Sequence, residues 1–415
     1  MTVTKKKVIS KEKECFLAIC LLAGELSPET ANFMKKDIGV KKFNNRIVKK
    51  LVDKKYVIRN DKNDAQDNSE VDSDNDLDKR VVKTRKPSFR ITLLGTEYLR
   101  TKLPDKYNYG IYRENRDYVY KSNRKERAQQ LSLVLYVLYR EGISIENHAD
   151  EFNRILHGES VDVETPFFVS MREVRKMDVR FESANGARLF GFIVTSNKII
   201  AVYNPDKEHH LPPSLEPLVL SPIQKLLEYA KEPYCNSRNF EFLYLFKSYD
   251  DIVNSFTIED NRINKSASST KRVYLNNRLK NSYIYPIFNS PYCLLDLLDN
   301  DIRAQVEDIF WQYYDLEPNQ LFHPNYLPIN SLYEGRYPTA ICWDLNPGTL
   351  LSVAEYCKYE VKKKGSVMVA CFNEHRKLIE QILSINKKEF EKIDIGSISC
   401  KQVFEVIRGE SDHID

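Results

Sequence analysis

The sequence predicts a multidomain chain of α+β / α/β class. A helix-rich basic domain is expected over residues 1–105, a tyrosine-rich connection with one helix over 106–145, and a mixed α/β domain over 146–415, with a candidate split near 330. Three observations carry that expectation. At 415 residues the chain is longer than a single core normally organises. Its 42% apolar and 29% charged residues are those of an ordinary globular protein. Its apolar period is helical in the first hundred residues and becomes strand–helix alternation near the end.

Glu14 to Leu26 is dense in apolar residues, as a core helix requires. Ser27-Pro28 reads as an N-cap followed by proline at the first helical position, and Gly39 as the stop of a second helix. A third helix, 40–55, places Val40, Phe43, Ile47 and Leu51 on one face, with Val48 and Val52 widening the stripe. Its opposite face carries Lys42, Asn45, Arg46, Lys49 and Lys50, with Lys41 at the edge. Two strand patterns follow, Tyr56-Val57-Ile58-Arg59 and Phe89-Arg90-Ile91-Thr92, the second running into Leu93 to Leu99.

Three helices, a two-stranded ribbon and a closing helix, ending in the Ile91-Thr92-x-x-Gly95-x-x-Tyr98-Leu99 pattern, resemble a winged helix-turn-helix. The resemblance spans Lys11 to about Leu103. It implies that the third helix enters the major groove while the wing lies along the DNA backbone. Charge points the same way independently. Met1 to Asn60 holds 15 basic and 6 acidic residues, a balance of +9, and Lys79 to Arg90 holds six basic and no acidic ones. Such clusters neutralise phosphates. Lys41, Lys42, Asn45, Arg46, Lys49, Lys50, Lys83, Arg85, Lys86 and Arg90 are therefore the expected DNA-binding set, with Asn45, Arg46 and Lys49 suited to base edges. A charged helix face that is merely solvated is the competing reading.

Residues 61–78 hold seven aspartates, one glutamate and one lysine, a local charge of −7 that predicts a disordered insertion at the wing tip. Pro104 to Tyr120 interleaves tyrosines and arginines and reads as an extended connection, and Asn123 to Arg140 as a helix stopped by Gly142.

Beyond a polar stretch, 144–164, a β region is expected. Phe167 to Val169 is a short apolar run, Met171 to Arg175 reads as half-exposed strand, and Ala187–Val194 and Lys198–Tyr203 form a hairpin. Phe240 to Phe246 is a further buried strand, and Tyr249 starts a helix. Glu173, Asp178 and Glu182 are the candidate catalytic carboxylates of a Mg²⁺-dependent nuclease, which needs an acid on one strand and a carboxylate-x-Lys pair on the next. The nearest string, Glu173-Val174-Arg175-Lys176, places Arg where Lys belongs.

Thr339 to Leu345 reads as a buried strand, Thr349 to Lys364 as a helix, Ser366 to Phe372 as a strand and Asn373 to Ser384 as a helix. Phe390 to Ile398 and Lys401 to Ile407 repeat the alternation, so a parallel sheet is expected. Ligands bind such sheets at the carboxyl ends of the strands, which places Asp344, Asn346, Asn373 and His375 on one rim. Neither GxGxxG nor GxxxxGK[ST] is present, and the histidines show no metal-ligand spacing.

No run of about 18 uncharged apolar residues predicts a membrane span. The start of the chain does not read as a secretory signal, and the eight scattered cysteines fit a reducing, cytoplasmic setting. The leading expectation is a DNA-binding protein without enzymatic activity or cofactor, a regulator or replication accessory acting on double-stranded DNA, with a homodimer as the default assembly. Its domain order resembles mobile-element proteins of the replication-relaxation type, which implies plasmid or conjugative-element DNA processing. The alternatives are the Mg²⁺-dependent nuclease and a protein-interaction module.

Overall fold

The computed structural model describes residues 9–36, 45–60, 87–119, 122–177, 189–204, 230–235, 240–257, 282–319, 329–361, 367–384, 390–411 and 414. The protein is a mixed helix and sheet structure that divides into two compact units. The first comprises Met1–Arg140 and Ser144–Asn147, and the second Glu141–Ile143 and His148–Asp415.

Unit 1 is built around α1 (Lys11–Ala23), whose residues from Cys15 onward are buried on every side. A helix apolar all round must sit in the middle of its neighbours. Here α4 (Leu93–Lys102), α5 (Ile111–Val119) and α6 (Ser122–Arg140) pack around it. Gly24 ends α1 at φ 90°, returning its N–H to the Cys20 carbonyl. Leu26 then exchanges backbone hydrogen bonds with Phe89 of β2 (Ser88–Ile91), which pairs on its other side with β1 (Val57–Asn60) in antiparallel register.

Between Leu26 and β1 the chain forms α2 (Pro28–Lys36) and α3 (Asn45–Asp53). The Ser27 hydroxyl accepts the Thr30 N–H at 2.9 Å, as the Ser-Pro signal predicts, and the Ser132 hydroxyl of α6 accepts the Ser27 N–H and meets the Thr30 hydroxyl in a buried network. Glu25, fully buried, accepts from Arg90 Nε at 2.6 Å and from Gln129 Nε2 at 2.8 Å.

The Ile-Thr-x-x-Gly-x-x-Tyr-Leu pattern has a structural reason at each position. Ile91 and Leu99 are core residues. Thr92 caps α4 by accepting the Gly95 N–H at 3.0 Å, and its hydroxyl donates to the Lys55 carbonyl. Tyr98 stacks on Tyr56 with ring centroids 4.4 Å apart. Gly95 lets the helix lie directly on the Tyr56 carbonyl.

One expectation for this unit is corrected. The segment expected as an extended connection contains α5, whose buried side chains, among those described, are Ile111 and Asn115. The run Arg113, Glu114, Asn115, Arg116, Asp117 interrupts the apolar signal, and one of these polar residues, Asn115, is buried. Asn115 earns its burial by donating to the Leu21 and Leu22 carbonyls at the end of α1. Tyr107 is core as well, its hydroxyl donating to Glu14 at 2.8 Å.

Unit 2 holds two five-stranded mixed sheets. In the first, β3 (Phe167–Ser170), β4 (Leu189–Val194) and β5 (Ile199–Tyr203) are antiparallel neighbours, and β6 (Phe240–Phe246) and β7 (Ser282–Pro286) continue from β5 in parallel. Every residue of these strands is buried, which explains their largely apolar composition. In the second sheet, β8 (Glu317–Pro318), β9 (Ser331–Tyr333) and β10 (Tyr337–Ile341) are antiparallel, while β10, β11 (Val367–Phe372) and β12 (Ile393–Ile398) are parallel, as expected.

The helices of this unit among the described residues are α7 (Ala149–Leu156), α8 (Met171–Met177), α9 (Tyr249–Thr257), α10 (Leu294–Leu298), α11 (Asn300–Tyr313), α12 (Pro347–Tyr359), α13 (Asn373–Leu383) and α14 (Cys400–Ile407). Residues of both sheets and of α7, α8, α9, α12 and α13 form one hydrophobic cluster. The strand expected at Met171–Arg175 is instead α8. Ser170 and Glu173 form a capping box there, a local helix signal stronger than the charge alternation around Val174. No helix among the described residues is long and apolar enough to cross a membrane.

A methyl group at Gly95 would lie 2.1 Å from the Tyr56 carbonyl oxygen. Gly95→Ala is therefore expected to destabilise unit 1 by about 1–3 kcal/mol, measured by urea unfolding.

Candidate functional site

On α3 the buried side is Val48 and Leu51, and the exposed side is Arg46, Lys49 and Lys50. None of these three cations meets a carboxylate among the described residues. Lys35 and Lys36, at the end of α2, and Lys54 and Lys55, just past α3, are exposed too. Asn45 opens α3, but its side chain lies outside the described residues, as do Lys41, Lys42, Lys83, Arg85 and Lys86. Arg90 is placed differently from its expected partners, because its Nε is bound to buried Glu25. That pairing gives it a structural role. It also explains why a basic residue occupies a strand whose other positions are largely buried.

Of the expected nuclease carboxylates, the one among the described residues lies on a helix and not on a strand. Glu173 lies on α8, where its Oε2 accepts the Ser170 N–H at 2.9 Å and the Ser170 hydroxyl at 2.7 Å. Asp178 and Glu182 lie outside the described residues. Among the described residues no cluster of three His, Cys, Asp or Glu side chains is arranged to hold a metal ion.

The rim of the parallel strands β10, β11 and β12 brings together three of the four residues expected there. Asp344 follows β10, and its Oδ1 accepts the Asn346 N–H at 3.1 Å. The Asn346 side chain in turn caps α12 by accepting from Gly348 and Thr349. Between them Leu345 holds φ 53°, a left-handed conformation that leucine rarely adopts. His375, fully buried on the first turn of α13, uses Nδ1 to meet the Trp343 carbonyl at 3.1 Å. That contact makes Nδ1 the protonated nitrogen, since a carbonyl only accepts. Burial lowers the His375 pKa from 6.5 to about 4. Asn373 is exposed and belongs to no part of this network.

The most unusual feature of unit 2 adjoins Asp344 and involves residues the sequence did not single out. Glu241 on β6 lies beside Ile200 in register, and Tyr283 on β7 beside Leu243, so the two share a sheet face. Lys198 is two residues before Ile200 and joins them. Its ammonium, 1% exposed, lies 3.0 Å from Glu241 Oε2 and donates to Asn300 Oδ1 at 2.7 Å. Tyr283 donates to Glu241 Oε1 at 2.8 Å.

Arg303 of α11 covers the Tyr283 ring at 4.0 Å and reaches Asp344 Oδ2 with Nη2 at 3.3 Å. Burial pulls the Lys198 amine below its ordinary range against the attraction of Glu241. It pushes the Asp344 carboxyl up against the attraction of Arg303. Four charged groups this dry are found together only when they are paired. A comparison with protein-family models, curated proteins and solved structures finds no match for the chain.

Removing one member of the inner pair strands the other. Lys198→Met is expected to cost about 3–5 kcal/mol of stability, and Lys198→Met/Glu241→Gln distinctly less, in denaturant titrations. For His375 the unfolded chain takes up its proton first as pH falls. Its contribution is complete above pH 6.5 and is lost by about pH 4. The expected loss is about 3 kcal/mol over that window, and His375→Gln should remove that part of the pH dependence.

Proposed function

We propose that the chain is a double-stranded-DNA-binding protein whose N-terminal unit is a winged helix-turn-helix, with α3 presented to the major groove. The observation that carries this reading is the set of exposed cations on α3, Arg46, Lys49 and Lys50, which have no carboxylate partner among the described residues. Solvated cations without internal partners exchange counterions for phosphates at little cost. The order α1, Leu26 bridge, α2, α3, β1, β2 supports the same reading, since the bridge sets β2 as the middle of three extended segments. A role as regulator or replication accessory on plasmid or other mobile-element DNA rests on the resemblance in domain order.

A second reading, a protein-interaction module, is favoured by three exposed apolar side chains in the same unit. Ile58 is 53% exposed, Leu93 59% and Leu94 54%. One titration separates the two. Binding of the full chain to a mixed-sequence duplex is expected to weaken steeply with salt. Arg46→Ala and Lys49→Ala should each lower the affinity and reduce the log–log salt slope by about 1. Weak binding that ignores both salt and substitution would sink the DNA reading.

A further inference from the structure

We propose that unit 2 binds a small oxyanion, a phosphate or carboxylate group, between the Nη1 edge of Arg303 and the indole N–H of Trp343, at the carboxyl end of β10. Arg303 is fixed on three sides. Its plane covers Tyr283, its Nη2 faces Asp344, and α11 holds its stem. What remains is Nη1, which is buried and has no hydrogen-bond partner. The guanidinium carbon sits 5.9 Å from the Trp343 ring. Trp343 is 1% exposed, and its Nε1–H is likewise buried without a partner.

Both unmatched groups are donors, and one of them is cationic. A donor left dry and unpaired is costly, so the site favours whatever supplies acceptor oxygens. An oxyanion offers two or more acceptors and gains the charge-assisted bond to Arg303. Asp344 does not fill that need: its oxygens meet the Asn346 N–H and Nη2, and neither Nη1 nor the indole N–H hydrogen-bonds to it. Lys198 and Arg303 pair with Glu241 and Asp344, and the Glu307 carboxylate lies within electrostatic reach of Arg303 as a further acidic group that an anion must displace or outcompete. The carboxyl end of a parallel strand is also where open α/β sheets receive ligands. Arg303 keeps 15% of its side chain exposed, while Nη1 itself is buried.

The chain has only two tryptophans, Trp311 and Trp343, so Trp311→Phe makes Trp343 the sole indole reporter. That full-length variant is titrated at constant ionic strength with inorganic phosphate and, separately, with acetate, following indole emission. A saturable change is expected with at least one anion, and the stronger response identifies the phosphate or the carboxylate member of the class. Adding Arg303→Lys should weaken the response at least tenfold, whereas adding Lys49→Ala should leave it unchanged and so separates this site from α3. If Arg303→Lys fails to fold by circular dichroism, the anion-dependent rise in melting temperature decides, and it should shrink in Trp343→Phe. No saturable response to either anion overturns the proposal. So does a response that survives Arg303→Lys in a folded protein, or a melting shift that survives Trp343→Phe.

Discussion

A carboxylate taken out of water must be met by a cation or by several donors, and both units are organised around that requirement. In unit 1 the buried carboxylate is Glu25, placed just past the end of α1. Its two partners, Arg90 and Gln129, come from β2 and α6, elements far apart in the chain. One desolvated charge therefore fixes where the sheet and the long helix meet the central helix. In unit 2 the same demand is met twice in adjoining pairs, Lys198 with Glu241 and Arg303 with Asp344. The first pair belongs to one sheet, and the second ties the loop after β10 of the other sheet to α11 and, through Tyr283, back to the first. Pairs of this kind contribute little net stability but strongly penalise any arrangement that separates them.

The parallel βα units near the C-terminus were legible because each signal is local. Apolar runs bounded by Asn346-Pro347-Gly348 or Ser399 announce strand, cap and helix within a few residues. The rim residues Asp344, Asn346 and His375 follow from that order. Lys198, Glu241, Tyr283 and Arg303 were not legible, because their meaning depends on register between strands distant in sequence. The available hint was Glu241 as the lone charge in Phe-Glu-Phe-Leu-Tyr-Leu-Phe, a carboxylate inside a fully buried strand. The Ser-x-x-Glu signal at Ser170 was readable and outweighs the strand pattern that follows it. α7 escaped notice because its inward residues, Phe152, Ile155 and Leu156, are embedded in a polar stretch.

The basic residues of unit 1 divide by environment into two kinds that composition alone does not separate. Arg90 and Lys106 are drawn into the fold, Arg90 by Glu25 and Lys106 by Glu14 and Glu146. Arg46, Lys49 and Lys50 remain on the solvent side of a short helix whose other side is core. A count of positive charge overstates the surface available to a polyanion. The residues that matter for binding are those the fold itself does not use.

The chain passes between its two units at residues 140–141, 143–144 and 147–148. Glu141 serves unit 2, where its carboxylate accepts the Leu294 N–H at the start of α10. Six residues later the backbone N–H of Asn147 is back in unit 1, bound to the Lys106 carbonyl, and Glu146 holds the Lys106 ammonium. This interleaving makes the units poor cassettes for recombination. A break at Arg140 takes from the first unit the return segment that anchors Lys106, and a break after Asn147 takes from the second the residue that caps α10. An evolutionary exchange of either unit would have to carry the whole seven-residue crossing and mend it on the other side.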